Sequence, residues 1–419
     1  MNSGPNTDNL TAPISAKSHN CDVIIIGGGL AGGTLACALS HFGIQTAVVD
    51  TQDPSAGLDV EFDGRASAIA FASQCLLKSV GLWDLMAKAA CPIKDIRVSE
   101  GNSPFFLHYD HKDTESQAFG YMLENRSIRR ALHEQISSLD TIKIIAPDRV
   151  QTMERSGSGV RVELESGNII TAPLVIGAEG RNSITRRNAG IRTTGWAYNQ
   201  TGIVCTVEHE KSHQHIAHEH FLPAGPFAIL PLWKNRASIV WAERSELVPA
   251  IMNLDETEFL EELKPRFGDF LGDLKVVGPR WSYPLSLKFA ERAIDQRLAL
   301  VGDALHGMHP IAGQGLNMGL RDVAALAEII VDARRLGMDI GDTLVLERYQ
   351  QWRRFDNSLM LAATDGLNRL FSNSIGPVRL ARDFGLSAVN KMGPLKKVFM
   401  RSAMGLSGEI PKLMRGQPL

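Results

Sequence analysis

The run Val23-Ile24-Ile25-Ile26-Gly27-Gly28-Gly29-Leu30-Ala31-Gly32 restricts what this chain can fold into more than any other stretch of its 419 residues. Four β-branched residues in succession suit a strand buried on both faces, as in the middle of a parallel sheet. The glycines then open an alanine- and leucine-rich segment that ends near Gly43, and Gln45 to Val49 returns as a second strand. Strand, glycine turn, helix and strand make a βαβ unit, in which glycines let backbone N–H groups approach a pyrophosphate at a helix N-terminus. Ala36 keeps that helix close to the sheet. Asp50 closes the second strand, where a carboxylate accepts hydrogen bonds from an adenosine ribose. An ordinary glycine-rich turn needs none of these companions, so the sequence predicts a dinucleotide site without saying which dinucleotide.

A chain of this length exceeds what one hydrophobic core usually organises, which predicts two domains interleaved in sequence. Helical segments are expected around Ser67 to Ala89 and from Ser127 to Leu139, and Ile96 to Tyr109 alternates around Pro104 as a strand facing a ligand cavity would. From Ala197 to Trp281 the pattern is mostly strand, including Ile203 to Val207, Ala228 to Leu232 and Ala237 to Trp241, broken by turns such as Pro223-Ala224-Gly225-Pro226. A buried parallel strand recurs at Leu298 to Val301, and helices follow from about Leu316. The expected class is α/β: a Rossmann-like domain carrying an inserted, mainly antiparallel sheet.

Composition removes other classes. Hydrophobic residues at 44% and charged residues at 21% are those of a soluble globular protein, and no apolar run approaches the roughly 18 residues of a membrane span. With 44 basic and 46 acidic residues there is no general attraction to nucleic acid. Cys21, Cys37, Cys75, Cys91 and Cys205 are odd in number, scattered and never CxxC, which predicts a reducing compartment and neither zinc nor disulfide scaffolding. The first twenty residues read as a loose polar tail, and the expected location is cytoplasmic. His209, His213, His215, His218 and His220 are too irregularly placed for a metal site and read as solvent-facing or structural, so no metal is expected. Trp233, Trp241 and Trp281 offer either a lipid-like pocket lining or ordinary sheet core, of which core is the better reading.

Two later stretches complete the pattern. Leu174-Val175-Ile176-Gly177-Ala178-Glu179-Gly180-Arg181 is a buried strand ending in a polar turn. In Arg297 to Asp322, RLALVGDALHGMHPIAGQGLNMGLRD, a strand ends at Gly302-Asp303, a loop carries His306, His309 and Pro310, and Gly313-Gln314-Gly315 opens a helix. An acid at the end of a parallel strand lies where α/β sheets bind ligands, and glycines at a helix start admit a flat group close to exposed N–H donors.

With these residues in view, the chain resembles the flavoprotein monooxygenases built like p-hydroxybenzoate hydroxylase. More narrowly it resembles the ubiquinone-biosynthesis hydroxylases of the UbiH, UbiF and UbiI type. The resemblance rests on HPIAGQGLN at His309 to Asn317 with Gly319 and Asp322, on Asp63-Gly64-Arg65, on Glu124-Asn125 ahead of Ile128 and Leu132, and on Phe221-Leu222-Pro223 through Leu232, and it runs from about Asp22 to Arg415. It implies FAD as the cofactor, NAD(P)H as electron donor, and hydroxylation of a polyprenylated phenol by dioxygen through a flavin 4a-hydroperoxide. It puts Gly27, Gly29, Leu30, Ala31, Gly32 and Asp50 on the ADP half of FAD, and Arg65 and Arg129 beside the cofactor. Asp303 falls on the ribitol hydroxyls, and Gly313, Gln314, Gly315, Leu316 and Asn317 beside the isoalloxazine, where a helix N-terminus stabilises negative charge on the reduced ring. The family usually has Asp where this chain has Glu179.

The implied division is a tail at 1–20, an FAD-binding domain of 21–95, 120–195 and 282–370, a substrate-binding sheet domain of 96–119 and 196–281, and a C-terminal helical region of 371–419. His306 and His309 invite assignment as a general base, but a positional or flavin-shielding role is the better reading of His309, and no base is assigned. Asn390 to Leu419 mixes Lys391, Lys396, Lys397, Arg401, Lys412 and Arg415 with apolar residues, which suits either a peripheral site on the inner face of the cell membrane or packing on the protein's own domain. Partner proteins of a ubiquinone-biosynthesis complex are a further expectation. Two readings compete with the favoured one: a flavin monooxygenase for another aromatic compound, and a non-catalytic FAD-binding scaffold.

Overall fold

The β-branched run does become the middle of a parallel sheet. In the computed structural model, which describes residues 17–56, 58, 63–100, 106–114, 116–307, 313–371 and 393–419, Val23–Ile26 lies in a six-stranded sheet. The spatial order is Ile294–Asp295, Leu298–Leu300, Leu174–Gly177, Val23–Ile26, Thr46–Val49, Ile142–Ile145, and only the first of these is antiparallel to its neighbour. Val23, Ile24 and Ile25 have no exposed surface, because they share one core with covering helices and with Val160, Val162, Leu164 and Ile170 of a four-stranded sheet. Leu30–Ser40 and Gln314–Arg335 belong to that core, the second burying Leu320, Val323, Ala324, Ala327 and Ile330 at helical spacing. Ile26, Val49, Gly177 and Leu300 all end at the same edge, so the loops that follow them converge.

The second large element is an eight-stranded sheet. Its order is His306–Gly307, Leu274–Ala290, Thr193–His209, Arg236–Arg244, Gly225–Leu232, Ile216–Leu222, Asp95–Glu100, Phe106–Asp110, and all neighbours are antiparallel except Ile216–Leu222 with Asp95–Glu100. Strand alternation splits its residues between two faces. Ile203, Cys205, Val207, Phe227, Ile229, Ile239 and Trp241 pack on Val248, Ile251, Phe259, Leu263 and Phe267 of the helices Val248–Asn253 and Glu256–Phe267. A capping box between Asp255 and Glu258 starts the longer helix. The opposite face looks towards the six-stranded sheet and stays largely uncovered by side chains, leaving a cavity.

Several expectations are corrected. Ala66–Ala70 is a strand paired with Gly120–Glu124, and helix begins only at Phe71. Its alanines and serine suit either state, and the open edge of a neighbouring strand decides. Ser18–Asn20, placed in the tail, pairs in parallel with Ile169–Ala172. The boundaries at 195/196 and 281/282 fall inside Thr193–His209 and Leu274–Ala290, two 17-residue strands that pair along their length with register shifts between Ala197 and Thr201 and between Val204 and Thr206. The C-terminal region is not separate either: Met400 of the helix Gly393–Ala403 and Met404 just after it join the core of Leu107, Tyr109, Phe119 and Phe221, while Leu413, Met414 and Leu419 sit in the main core. Trp241 is core, Trp233 is 45% exposed, and Trp281 donates from Nε1 to the Asp63 carbonyl at 2.6 Å, so none of the three lines the cavity.

Candidate functional site

The nucleotide loop is held by close backbone contact. Gly27 takes φ +102, and a Cβ there would lie 2.6 Å from the Ala178 carbonyl oxygen; one on Gly32 would lie 1.9 Å from the oxygen of Gly27. Neither position admits a side chain. Gly29 differs, since a Cβ there meets nothing within 4 Å and would project into the cavity. The helix Leu30–Ser40 begins at Gly29 with no side-chain cap and no acid in its first turn, and Gln314–Arg335 begins at Gly313 in the same way. Both helix starts therefore turn the positive end of the dipole towards one space.

Asp50 ends the strand Thr46–Val49 with one carboxylate oxygen accepting from Gly28 N at 2.6 Å and the other from Gln52 N at 2.8 Å, and it lines the cavity. Asp303 follows Leu298–Leu300, lines the same cavity and accepts from Arg181 Nε at 3.3 Å. Gly313 to Asn317 form a wall between them. Asn317, 6% exposed, is fully engaged by backbone: Oδ1 accepts from Ala70 N at 2.8 Å, and Nδ2 donates to the carbonyls of Ala68 and Gly313 at 2.9 and 3.1 Å. It pins the helix start to the strand Ala66–Ala70, and that is its structural task.

A buried ion network underlies this wall. Asp322, with no exposed surface, accepts from Gly302 N at 3.0 Å, His306 Nε2 at 2.6 Å and Arg353 Nε at 2.7 Å. Burial alone would raise its pKa, but His306 and Arg353 hold the carboxyl below the usual range. Asp322 therefore fixes the Gly302-Asp303 turn from beneath.

The remaining residues singled out in the sequence are held by other partners. Arg65 and Arg129 do not line the cavity; both pair with Asp63 Oδ2, at 2.7 and 3.0 Å, and Arg65 stacks on Trp281 at 4.9 Å. Glu179 lines the cavity, but its carboxylate accepts from Ser183 Oγ at 2.6 Å and from the amides of Ile184 and Thr185 at 3.2 Å, so it caps the helix Ile184–Asn188. His309 falls outside the described residues. The histidines pack as two sets, His213 with His209 and His215 at ring-centroid distances of 5.5 and 5.4 Å and His218 with His220 at 5.8 Å; His213 meets the Leu232 carbonyl, His220 meets Ser99 Oγ, and His218 lies against Phe270, and these three are buried or half-buried. Among the described residues no group of three or more His, Cys, Asp or Glu side chains could hold a metal ion.

The cavity has a volume of about 1750 Å³, beyond the ~300–1,000 Å³ that suffices for one small ligand. One end is the nucleotide loop, Asp50, Asp303 and Gly313 to Asn317; the other is the free face of the eight-stranded sheet, closed by Phe399, Ser402 and Ala403. Sheet residues lining it are mostly apolar; Tyr109, His218, Tyr283 and Glu219 carry polar groups, and Glu219 is the one carboxyl among the described sheet residues, with no counterpart in the sequence-based expectations. Burial pushes the Glu219 carboxyl up to about 7, its remaining accessible surface being that of the cavity itself. A polar residue in the inward register between Ala217 and Phe221 was the available signal. His218, lowered to about 3 by burial, His220 and Arg97, stays neutral.

The residues fit a dinucleotide cofactor on these grounds: two uncapped helix starts, an open glycine, and two acids at strand ends facing one space. Comparisons with known proteins agree. A family model described as FAD binding domain matches residues 20–354. The chain is 54% identical to "Ubiquinone hydroxylase UbiL" of Rhodospirillum rubrum over 413 residues, covering 98% of this chain and 96% of that protein. It is 34% identical to "3-demethoxyubiquinol 3-hydroxylase" of Escherichia coli, over 92% of this chain and 98% of that one. Among solved structures, p-nitrophenol 4-monooxygenase PnpA from Pseudomonas putida DLL-E4 superposes with a TM-score of 0.77 at 20% identity, covering 94% and 99% of the two chains, which shows a shared fold.

Proposed function

This chain belongs to the FAD-binding family of flavin-dependent ubiquinone hydroxylases, and from that premise we propose that it hydroxylates the aromatic ring of a polyprenylated phenol. One observation carries the reading: a single cavity joins the nucleotide loop to a broad apolar sheet face, with room for a dinucleotide and a lipid-like ring compound together. Gly27, Gly29, Leu30, Ala31 and Asp50 would hold the ADP half of FAD, Asp303 the ribitol, and Gly313 to Asn317 the isoalloxazine. Bound FAD, reduced by a nicotinamide, supplies the activation of dioxygen that no side chain can perform. The protein's own share is to orient the ring, hold N–H donors against the reduced flavin, and keep water away from the reacting atoms. Arg65 and Arg129 are within the proposed site only as supports, through Asp63 and the strand that follows it.

The helix Gly393–Ala403 supports a peripheral membrane position. Val398 and Phe399 are 59% and 44% exposed, Lys397 and Arg401 lie beside them, and Phe399 also lines the cavity. A prenyl tail leaving past Phe399 would meet a lipid surface directly. No helix among the described residues is long and apolar enough to cross a membrane.

The test is turnover of the FAD-loaded protein with a short-chain prenylated phenol, a reduced nicotinamide and isotope-labelled dioxygen. One labelled oxygen atom in the ring product is expected. Nicotinamide oxidation that yields only hydrogen peroxide, with every prenylated phenol offered, overturns the reading.

A further inference from the structure

Six residues cross the free face of the eight-stranded sheet in one row. Leu107 pairs with Val98, Val98 with Glu219, Glu219 with Ala228, Ala228 with Val240, and Val240 with Val204, and all six line the cavity. Five are apolar. Asp50, Asp148, Glu165, Glu179 and Asp303, the other acids of the cavity wall, come from the nucleotide side, so Glu219 is the one carboxyl that the described part of the sheet presents to this space. It makes no hydrogen bond or ion pair among the described residues. Two strands either side of it, the sheet would lose nothing structurally by carrying another valine, and a carboxyl in such a place without a partner is costly to bury.

We propose that Glu219 is the proton acceptor for the phenolic hydroxyl of the substrate. The proposal rests on the hydroxylase reading and adds the base which that reading lacks. Other titratable groups around it are poorly suited. The phenol of Tyr109, on the strand Phe106–Asp110, is raised by burial; Tyr283 on Leu274–Ala290 is a phenol itself. His218 on its own strand also borders the cavity, but its ring packs against Phe270 and burial lowers it to about 3, too weak a base for a phenol, while His220 meets Ser99 and Arg97 on Asp95–Glu100 lies beside Phe106. On the covering helix, Lys396 is paired with Asp113, Arg401 is exposed and Ser402 is neutral.

The chemistry balances as a proton movement. The O–H bond of the bound phenol breaks, its electron pair stays on oxygen and feeds the ring, and the proton passes to a Glu219 carboxylate oxygen. When the hydroxylated ring loses its C–H proton to water and becomes aromatic again, the phenolic oxygen recovers the proton from Glu219. Dioxygen is the oxidant and the nicotinamide the reductant, as in the family's reaction. A carboxyl near 7 lies about three pK units below an ordinary phenol near 10, against more than five for an ordinary Glu, so the transfer is far less uphill.

The experiment uses full-length, FAD-loaded protein and the variants Glu219→Gln and Glu219→Asp. Three probes serve: a short-chain prenylated phenol, its O-methyl ether, and a fluorinated phenol whose hydroxyl is already ionised at the assay pH. The wild type should lose kcat/KM below about pH 7, while E219Q should lose about 100-fold in kcat and lack that acid limb. The fluorinated phenol should bring E219Q back to within a few-fold of wild type, and E219D should retain part of the limb. Binding supplies a readout without turnover: wild type should prefer the phenol to its ether about tenfold, and E219Q should not. An active wild type whose E219Q variant keeps the rate and the pH profile overturns the Glu219 assignment alone, as does failure of the fluorinated phenol to rescue. A wild type that hydroxylates none of the phenols overturns the hydroxylase reading and the proposal with it. Flavin absorbance and the melting temperature establish that each variant is folded, and E219D takes the place of an E219Q that is not.

Discussion

Replacing Arg353 by Met should destabilise this protein by about 3–5 kcal/mol, because it strands a charge rather than merely removing a contact. Arg353 and Asp322 are 1% and 0% exposed, and Arg353 also donates to Asp356 at 2.8 Å and to Asn357 at 2.7 Å. Without the guanidinium, Asp322 keeps His306 and Gly302 N but loses the partner of Oδ1. An unfolding entropy of about 2.1 cal/mol/K per residue over 419 residues is roughly 0.9 kcal/mol/K, so the melting temperature should fall by about 3–6 °C if the chain unfolds as one unit. The pKa of Asp322 is depressed in the folded protein, so its contribution is present above the unfolded carboxylate's pKa and is lost as pH falls through the folded value. The difference between wild type and variant should therefore narrow in acid. Since Asp322 also holds Gly302 N, FAD affinity should weaken alongside stability. Adding Asp322→Asn should recover part of the loss, since a neutral amide needs no counter-charge. Differential scanning calorimetry from about pH 2.5 to 8 with flavin titration measures both, and a shift below about 1 °C, or a double variant whose losses add, would refute the reasoning.

Gly32→Ala should abolish FAD binding, since its Cβ falls 1.9 Å from a backbone oxygen that cannot yield without opening the loop; flavin fluorescence on dialysis reads this directly. Glu219 should cost stability progressively as pH rises from its unfolded pKa near 4.5 to its folded value of about 7, by about 3 kcal/mol at most, so E219Q should gain more in melting temperature at pH 8 than at pH 5. Asp303→Ala should weaken FAD binding about tenfold or more in equilibrium titration while leaving the fold intact, because the side chain is 42% exposed and, among the described residues, paired only with Arg181. Val398→Asp with Phe399→Asp should reduce sedimentation with anionic liposomes and leave FAD bound; removing everything after residue 390 is a poorer test, since Leu413, Met414 and Leu419 belong to the main core.

The nucleotide half of the site was legible because its geometry is local. A strand, three glycines and a helix start within ten residues, and the backbone between Val23 and Gly32 settles where the N–H groups point. The same holds for Gly313 to Asn317, whose glycines open a helix directly. Less local features are not written in a short string, for identifiable reasons. Ala66 to Ala70 has no strong preference of its own, and the edge of Gly120–Glu124 makes it a strand. Arg65 and Arg129, 64 positions apart, meet on Asp63 because a strand and the helix Asn125–Ser137 bring them there.

What the sequence determined by itself is the dinucleotide loop and the family, since both are written in short strings whose backbone demands few residues can meet. What only the tertiary structure decided is the company each side chain keeps. Glu219 sits in a stretch of histidines that looks solvent-facing on paper. Strand pairing sets it between Val98 and Ala228 and closes Phe399 over the cavity, and that arrangement withholds water from its carboxyl. Desolvation is a property of the assembled surroundings, drawn here from residues 98 to 399, and no window of sequence around Glu219 contains it.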